Sequence, residues 1–328
     1  MRADPAGVAL QDWRARAFGL EIDLSFEAPG LVPAVGEPVG RGTRIDLLSE
    51  EEIDRDWPGS GVERVLEERF EEDGPGAPAR TIDRHPEAGY RLYARHFGLA
   101  RISRRGDRVA CAPPEMDAWS WQRFLVGRIL PWTAVISGYE AFHSSAVELD
   151  GGAVAFVGAS GFGKTSLALR LVAGGARFLT DDVLVIEKRD GALHGHPGAG
   201  IAAVRPDERG AIDAGVWDRL GTVLGVSGKT YLSLPRADGP LPLRAICFLW
   251  GGQGPLLERI EKPDPRMLLA STFVLGVTTP ERLVNQLDVC AAIAREVPLF
   301  RVHARAAPDA GSLADAVAER LAGAGVTR

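Results

Sequence analysis

Apolar and polar positions alternate with a short period along some stretches of the chain and recur at helical spacing along others. Leu99 to Ser103 and Arg108 to Ala112 are β-type runs separated by Arg104-Arg105-Gly106-Asp107, a hairpin pattern. Trp121, Phe124, Leu125, Ile129 and Leu130 recur at helical spacing between Trp119 and Ile136, with Pro131 as a break. Residues 40 to 90 are the most polar. There Glu50-Glu51-Glu52 and the run Glu67 to Asp73 predict a solvated helix, ending in the loop Gly74-Pro75-Gly76-Ala77-Pro78. From about residue 143 the texture changes. Ser145 to Leu149 and Ala153 to Val157 flank Asp150-Gly151-Gly152, a second hairpin signal, and Val183 to Glu187 pairs with Ala192 to His196 across Asp190-Gly191. Thr165 to Ala173 predicts a helix, Arg177 to Leu179 and Ala245 to Trp250 strands, and Pro265 to Val274, Pro280 to Glu296 and Ser312 to Ala322 further helices. The expected class is α/β (α+β): one central mixed sheet with flanking helices over residues 136–328, preceded by a smaller α+β lobe over residues 1–135.

Composition narrows the function classes. The 328 residues are 45% hydrophobic and 25% charged with a net charge of −6, an ordinary globular balance without the basic field that nucleic-acid binding uses. The stretch from Ile129 to Glu140 is free of charge before its last residue, but it contains Pro131 and falls well short of the ~20 residues a membrane span needs. Met1-Arg2-Ala3-Asp4-Pro5 has no apolar segment behind it, so the expected location is cytoplasmic. Cys111, Cys247 and Cys290 are widely spaced in apolar surroundings, which predicts reduced core thiols rather than a disulfide or a zinc site.

One motif carries chemistry. Gly158-Ala159-Ser160-Gly161-Phe162-Gly163-Lys164-Thr165 satisfies G-x-x-x-x-G-K-[ST] at every fixed position, with an apolar run before it and a helical pattern from Ser166 onward. Glycines permit positive φ and leave amides free to converge on phosphate, and the following helix presents its positive end to the same anion. Lys164 supplies a mobile ammonium for the terminal phosphates, and the Thr165 hydroxyl is suited to Mg²⁺. A dinucleotide fingerprint is disfavoured, because Gly161-Phe162-Gly163 is followed by Lys164-Thr165-Ser166 and lacks the third glycine. Asp181-Asp182 lies seventeen residues beyond Lys164, between two apolar runs. Beside a metal-bound nucleotide, one of these carboxylates can reach the metal while the other accepts the proton of an attacking hydroxyl.

The segment His143-Ser144-Ser145-Ala146, the loop Gly158 to Thr165 and Asp181-Asp182-Val183 together resemble the catalytic core of the HPr kinase/phosphorylase family. Its small members, some of which resemble kinases of a serine in ribosomally made peptides, are the nearer likeness. The resemblance implies a HPr kinase-like fold with ATP and Mg²⁺ as cofactors. It further implies that Asp181 is the general base, Asp182 supports the metal with Thr165, and His143 lines the nucleotide phosphates. A downstream Gly228-Lys229 pair makes Lys229 a candidate substrate contact by the same resemblance, and the family implies a homo-oligomer. Where family members acting on HPr carry a Glu/Arg/Gly-rich signature tied to phosphorolysis, this chain reads Gly195-His196-Pro197-Gly198-Ala199-Gly200-Ile201, so neither HPr nor the reverse reaction is carried over.

The expectation is therefore an ATP- and Mg²⁺-dependent phosphotransferase acting on an alcohol, first a serine of a peptide or protein, with the N-terminal lobe recognising the acceptor. Two rivals stand beside it: a kinase of a small hydroxy compound, and a nucleotide-binding regulator that transfers to no hydroxyl. A carboxykinase of related fold would need additional metal-binding His and Lys positions that are not found.

Overall fold

The computed structural model describes residues 13–69, 78–210, 212, 214–273, 276–303 and 310–326. The chain forms two compact units, Met1–Gly138 with Leu275–Thr278, and Tyr139–Val274 with Thr279–Arg328. Both are mixed assemblies of large sheets and helices.

The first unit contains β1 (Trp13–Ala17), β2 (Leu20–Leu24), β3 (Val32–Pro33), β4 (Arg41–Leu47), α1 (Glu50–Arg55), β5 (Glu63–Glu68), β6 (Arg80–His85), β7 (Gly89–Ala94), β8 (Gly98–Ile102) and β9 (Arg108–Ala112). Helices α2 (Ala118–Phe124) and α3 (Leu130–Ile136) follow. Its nine strands form one sheet in the order β3-β1-β2-β4-β9-β8-β7-β6-β5, parallel at β2–β4 and β4–β9. The expected β8–β9 hairpin is present, but the other strands escape the sequence pattern.

Two expectations are corrected here. Glu67 and Glu68 belong to strand β5, not to a helix, because the charges that resemble a solvated helical face are cross-strand partners: Arg64 pairs with Asp83, and Arg80 with Glu68. Residues 70–73 of the acidic run and residues 74–77 of its loop lie outside the described residues. Pro131 does not break its helix. A π-helical segment over Leu125–Ile129 joins α2 to α3, the Leu130 N–H donating to the Leu125 carbonyl, and Pro131 follows directly, where the i→i−4 pattern is already interrupted.

The second unit begins with β10 (Glu140–Leu149) and β11 (Gly152–Val157), then α4 (Lys164–Ala173), β12 (Arg177–Thr180), β13 (Val183–Arg189), β14 (Ala192–His196), β15 (Ile201–Val204), α5 (Pro206–Gly210) and α6 (Ala214–Leu220). It continues with β16 (Thr222–Val226), β17 (Thr230–Ser233), β18 (Leu241–Trp250), β19 (Leu257–Arg259), α7 (Pro265–Leu269), α8 (Pro280–Glu296), β20 (Leu299–His303) and α9 (Ala310–Gly323). Asp-Gly steps turn both predicted hairpins, with Asp150 and Gly151 at φ +46° and +76°, and Asp190 and Gly191 at +51° and +80°, as a tight two-residue turn demands. Strand β10 starts five residues earlier than its alternation predicts, since Ala141 and Phe142 are buried there as well. Helix α7 is shorter than its pattern, ending at Leu269.

Pairing runs β11-β10-β13-β14-β18-β20-β19, and β11 also pairs with β18 in parallel, so five of the strands close a ring. Its central strand β11 is buried throughout, as a continuous apolar run predicts. Ala155, Val157, Ile246 and Phe248 pack under α7 and α8 through Leu268, Val289 and Ile293. Val154, Phe156, Cys247 and Leu249 pack on the other side under Leu167 and Leu171 of α4 and Leu313 and Val317 of α9. The expected single sheet is supplemented by a separate three-stranded one, β15-β17-β16, which joins Leu169 of α4 and Trp217 of α6 in a further core. All three cysteines are free and buried, with the thiols of Cys111, Cys247 and Cys290 pushed up to about 12 by burial. Among the described residues no helix is long and apolar enough to cross a membrane.

Candidate functional site

The loop from Gly158 to Gly163 leaves the C-terminal end of β11 and enters α4. Two of its glycines take positive φ, Gly161 at +86° and Gly163 at +84°, which L side chains rarely adopt. Gly158 packs closely for a different reason: a Cβ there would stand 3.2 Å from Leu249 Cβ and 3.3 Å from the Leu249 carbonyl oxygen on β18, a tight fit. Gly163 is the N-cap of α4 and no side chain caps the helix, so its first-turn amides keep their positive end toward the loop. Ser166 lies in that first turn.

Lys164 folds back across the loop. Its ammonium donates to the carbonyls of Gly158 (2.8 Å) and Ala159 (3.2 Å). Burial holds its pKa below the ordinary lysine value, against the pull of Asp181 and Asp182, and the positive charges of Arg205 and Lys229 act in the same direction as burial. Lys229, near the tip of the β16–β17 hairpin, therefore belongs to the same electrostatic cluster. Arg205 was not anticipated from the sequence. It follows β15, its guanidinium donates to Ser160 Oγ at 3.2 Å, and it lies 3.1 Å from where a Cβ on Gly161 would sit.

Beneath the loop, Asp181 is half-buried and accepts three hydrogen bonds: from Ser145 Oγ (2.5 Å) and Thr165 Oγ1 (2.8 Å) on one carboxylate oxygen, and from the Ala203 N–H (3.0 Å) on the other. Burial raises its pKa, the donors opposing the shift and Asp182 adding to it. Three separate segments meet at this carboxylate: β10 through Ser145, α4 through Thr165, and β15 through Ala203. Neither Ser145 nor Ala203 is marked in the sequence as a partner of Asp181, because only the fold brings them to it.

Asp182 differs from its neighbour. Its side chain is 46% exposed, its φ is +69°, and the Val183 N–H donates to the Asp181 carbonyl at 2.9 Å, closing a γ-type turn around it. His143 Nδ1 lies 3.0 Å from the Asp182 carbonyl oxygen and 3.3 Å from its Oδ1. Donation from Nδ1–H to that carbonyl leaves Nε2 as the other ring site. His143, Lys164, Thr165, Asp181 and Asp182 thus lie together.

A cleft of about 500 Å³ adjoins the loop, lined by His143, Gly158, Ala159, Phe162, Trp250, Met267 and Arg301 among others. Phe162 and Trp250 are 45% and 53% exposed, and the Phe162 ring sits 3.3 Å from where a Cβ on Gly251 would be.

No protein-family model matches this chain, and no curated protein matches it at significance. Among solved structures, the Hpr(Ser) kinase/phosphatase from Coxiella burnetii is similar over 48% of this chain and 98% of its own, at 14% sequence identity and a TM-score of 0.26. At that score the likeness assigns neither a fold nor a function to this chain.

Proposed function

We propose that the second unit binds ATP with Mg²⁺ at the loop 158–163 and transfers the γ-phosphoryl group to an alcohol, first of all a serine hydroxyl of a peptide or protein. One observation carries this reading: the Thr165 hydroxyl meets the Asp181 carboxylate at 2.8 Å directly beneath a positive-φ glycine loop holding the Lys164 ammonium. The donor set suits Mg²⁺. Thr165 and Asp181 offer two hard oxygens, and among the described residues no cluster of three or more His, Cys, Asp or Glu could hold a metal alone. Mg²⁺ characteristically uses one or two carboxylates and completes its shell with phosphate oxygens and water. Bound there, it would neutralise charge on the phosphates.

The hydrogen bonding favours a division of labour between the two aspartates opposite to the one the family resemblance implies. Asp181, held by three hydrogen bonds including that from Thr165, suits the metal side, whereas Asp182, half-exposed beside His143, suits the proton acceptor. In the transfer the acceptor oxygen bonds to the γ-phosphorus as the bond to the β–γ bridging oxygen breaks. The hydroxyl proton passes to Asp182, and ADP departs. Lys164, Arg205 and the first-turn amides of α4 hold the phosphoryl oxygens, and His143 fixes the turn that presents Asp182. A proton acceptor contributes ~10²–10⁴-fold to such a step, so most of the acceleration rests on positioning and charge.

The test is equilibrium binding of a fluorescent ATP analogue with and without Mg²⁺, to the wild type and to Lys164→Met and Asp181→Asn. Lys164→Met should weaken binding at least ~10-fold, the cost of one charged hydrogen bond, and Asp181→Asn should remove most of the Mg²⁺ enhancement. Equal affinity in all three proteins would contradict the reading.

A further inference from the structure

The cleft beside the loop opens at its first two residues, Gly158 and Ala159. The Lys164 ammonium rests on the carbonyls of Gly158 and Ala159, and a lysine at this motif position serves the terminal phosphates. Gly158 and Ala159 also line the cleft, so the cleft opens at the end of the loop where the transferred group would lie. His143, which holds the Asp182 turn, lines the same wall.

The chemistry of the walls is specific. Phe248 and Met267 add apolar lining, and Phe162 and Trp250 present aromatic surface that is half-exposed. Arg301, on β20 next to Phe248 in register, is the one permanent charge among the lining residues. Its Nη1 lies 3.4 Å from Glu258 Oε2, and a guanidinium has a fork of five N–H donors matched to carboxylate geometry. A volume of about 500 Å³ lies within the ordinary range for small-ligand sites, ~300–1,000 Å³.

Resting on the kinase reading above, we propose that this cleft is the acceptor subsite, and that it takes a hydroxyl carried beside an aromatic or apolar group and a carboxylate. A serine followed by a C-terminal aromatic residue in a peptide and a free aromatic hydroxy acid share that chemistry. The body fills the space between Phe162, Trp250 and Met267, and the carboxylate meets Arg301.

The experiment is ligand-detected saturation-transfer NMR on the full chain, with N-acetyl-Ser-Phe and 3-phenyllactate as separate probes and benzyl alcohol as the probe lacking a carboxylate. Transfer to the aromatic protons of the first or second probe is expected, weaker for benzyl alcohol. It should be abolished in Met267→Trp, which fills the cleft, and in Ala270→Trp, an exposed rim position where folding is safe. Arg301→Gln should weaken it about ten-fold or more, the loss expected of one charged contact. Dipeptide binding alone assigns the site to peptides, and phenyllactate binding alone to free hydroxy acids. Signals unchanged by Ala270→Trp, or no binding of either carboxylate probe to a wild type that binds ATP, overturn the cleft assignment and leave the kinase reading intact. Probe binding that the cleft variants abolish, in a chain that binds no ATP, removes the kinase reading alone.

Discussion

Asp182 offers a way to separate strain from chemistry. It sits at φ +69° in the two-residue connection between β12 and β13, where an L residue costs ~1–2 kcal/mol, somewhat less for Asp because its short side chain bonds locally. Asp182→Gly removes that cost but loosens the unfolded chain by ~0.4–1 kcal/mol, so the net change in stability should lie within about 1 kcal/mol. Asp182→Ala keeps the Cβ and loses the polar compensation, and should be less stable than the Gly variant by about 1 kcal/mol. Both lack the carboxylate beside His143 and should lose ~10²-fold or more in phosphoryl transfer. Asp190→Gly is the control, since Asp190 has a similar φ of +51° in an ordinary hairpin turn. It should change stability as little as Asp182→Gly and leave transfer unaltered.

Thermal melts followed by circular dichroism and initial transfer rates measured on the same preparations give both readouts. Full transfer by Asp182→Gly would refute Asp182 as proton acceptor. A Gly variant less stable than the Ala variant would refute backbone strain at this position.

Glu140 and Arg205 carry two further predictions. Glu140 is fully buried against Arg282 (2.8 Å), and burial pushes its pKa up to about 7 from 4.5, the arginine and the Ala141 N–H opposing the shift. A raised carboxyl pKa gives stability that is complete below the unfolded value and is lost as pH rises through the folded one. The wild type should therefore lose ~3 kcal/mol relative to the non-titrating Glu140→Gln between pH 4.5 and a pH above 7. Hydrogen-exchange protection of β10 and α8 reads this out, and a difference flat in pH would contradict it. Arg205→Ala should lower the transfer rate ~10–100-fold with little change in stability, and Arg205→Lys should recover part of it, because the charge lies beside Ser160 of the loop. Single-turnover rates decide the point, and an unchanged rate would exclude Arg205 from the transfer.

The parts of the structure legible in the sequence are those whose signal is local. The glycine-lysine-threonine loop, the Asp-Gly turns at Asp150 and Asp190, and the start of α8, where Thr279 caps Arg282 and Pro280 occupies the first turn, are each written in a few consecutive residues. The nine-stranded sheet is not, because its strands are short and their polar faces carry paired charges such as Arg16–Glu21 and Arg64–Asp83, which have no helical or alternating apolar period. At the site, Lys164, Thr165 and the aspartates are visible by motif and spacing. Ser145, Ala203 and Arg205 become partners only through the meeting of β10, α4 and β15, and the cleft gathers residues as far apart as His143 and Arg301.

Whether this chain moves a phosphoryl group to an alcohol is tested most directly by intact-mass detection after incubation with MgATP. Serine-containing peptides and free hydroxy acids serve as acceptors, and the wild type is compared with Lys164→Met and Asp182→Asn. One phosphoryl group gained by an acceptor with the wild type, and lost with both variants, is the predicted result. ATP bound but no acceptor modified by the wild type, or equal modification by Lys164→Met, would contradict it.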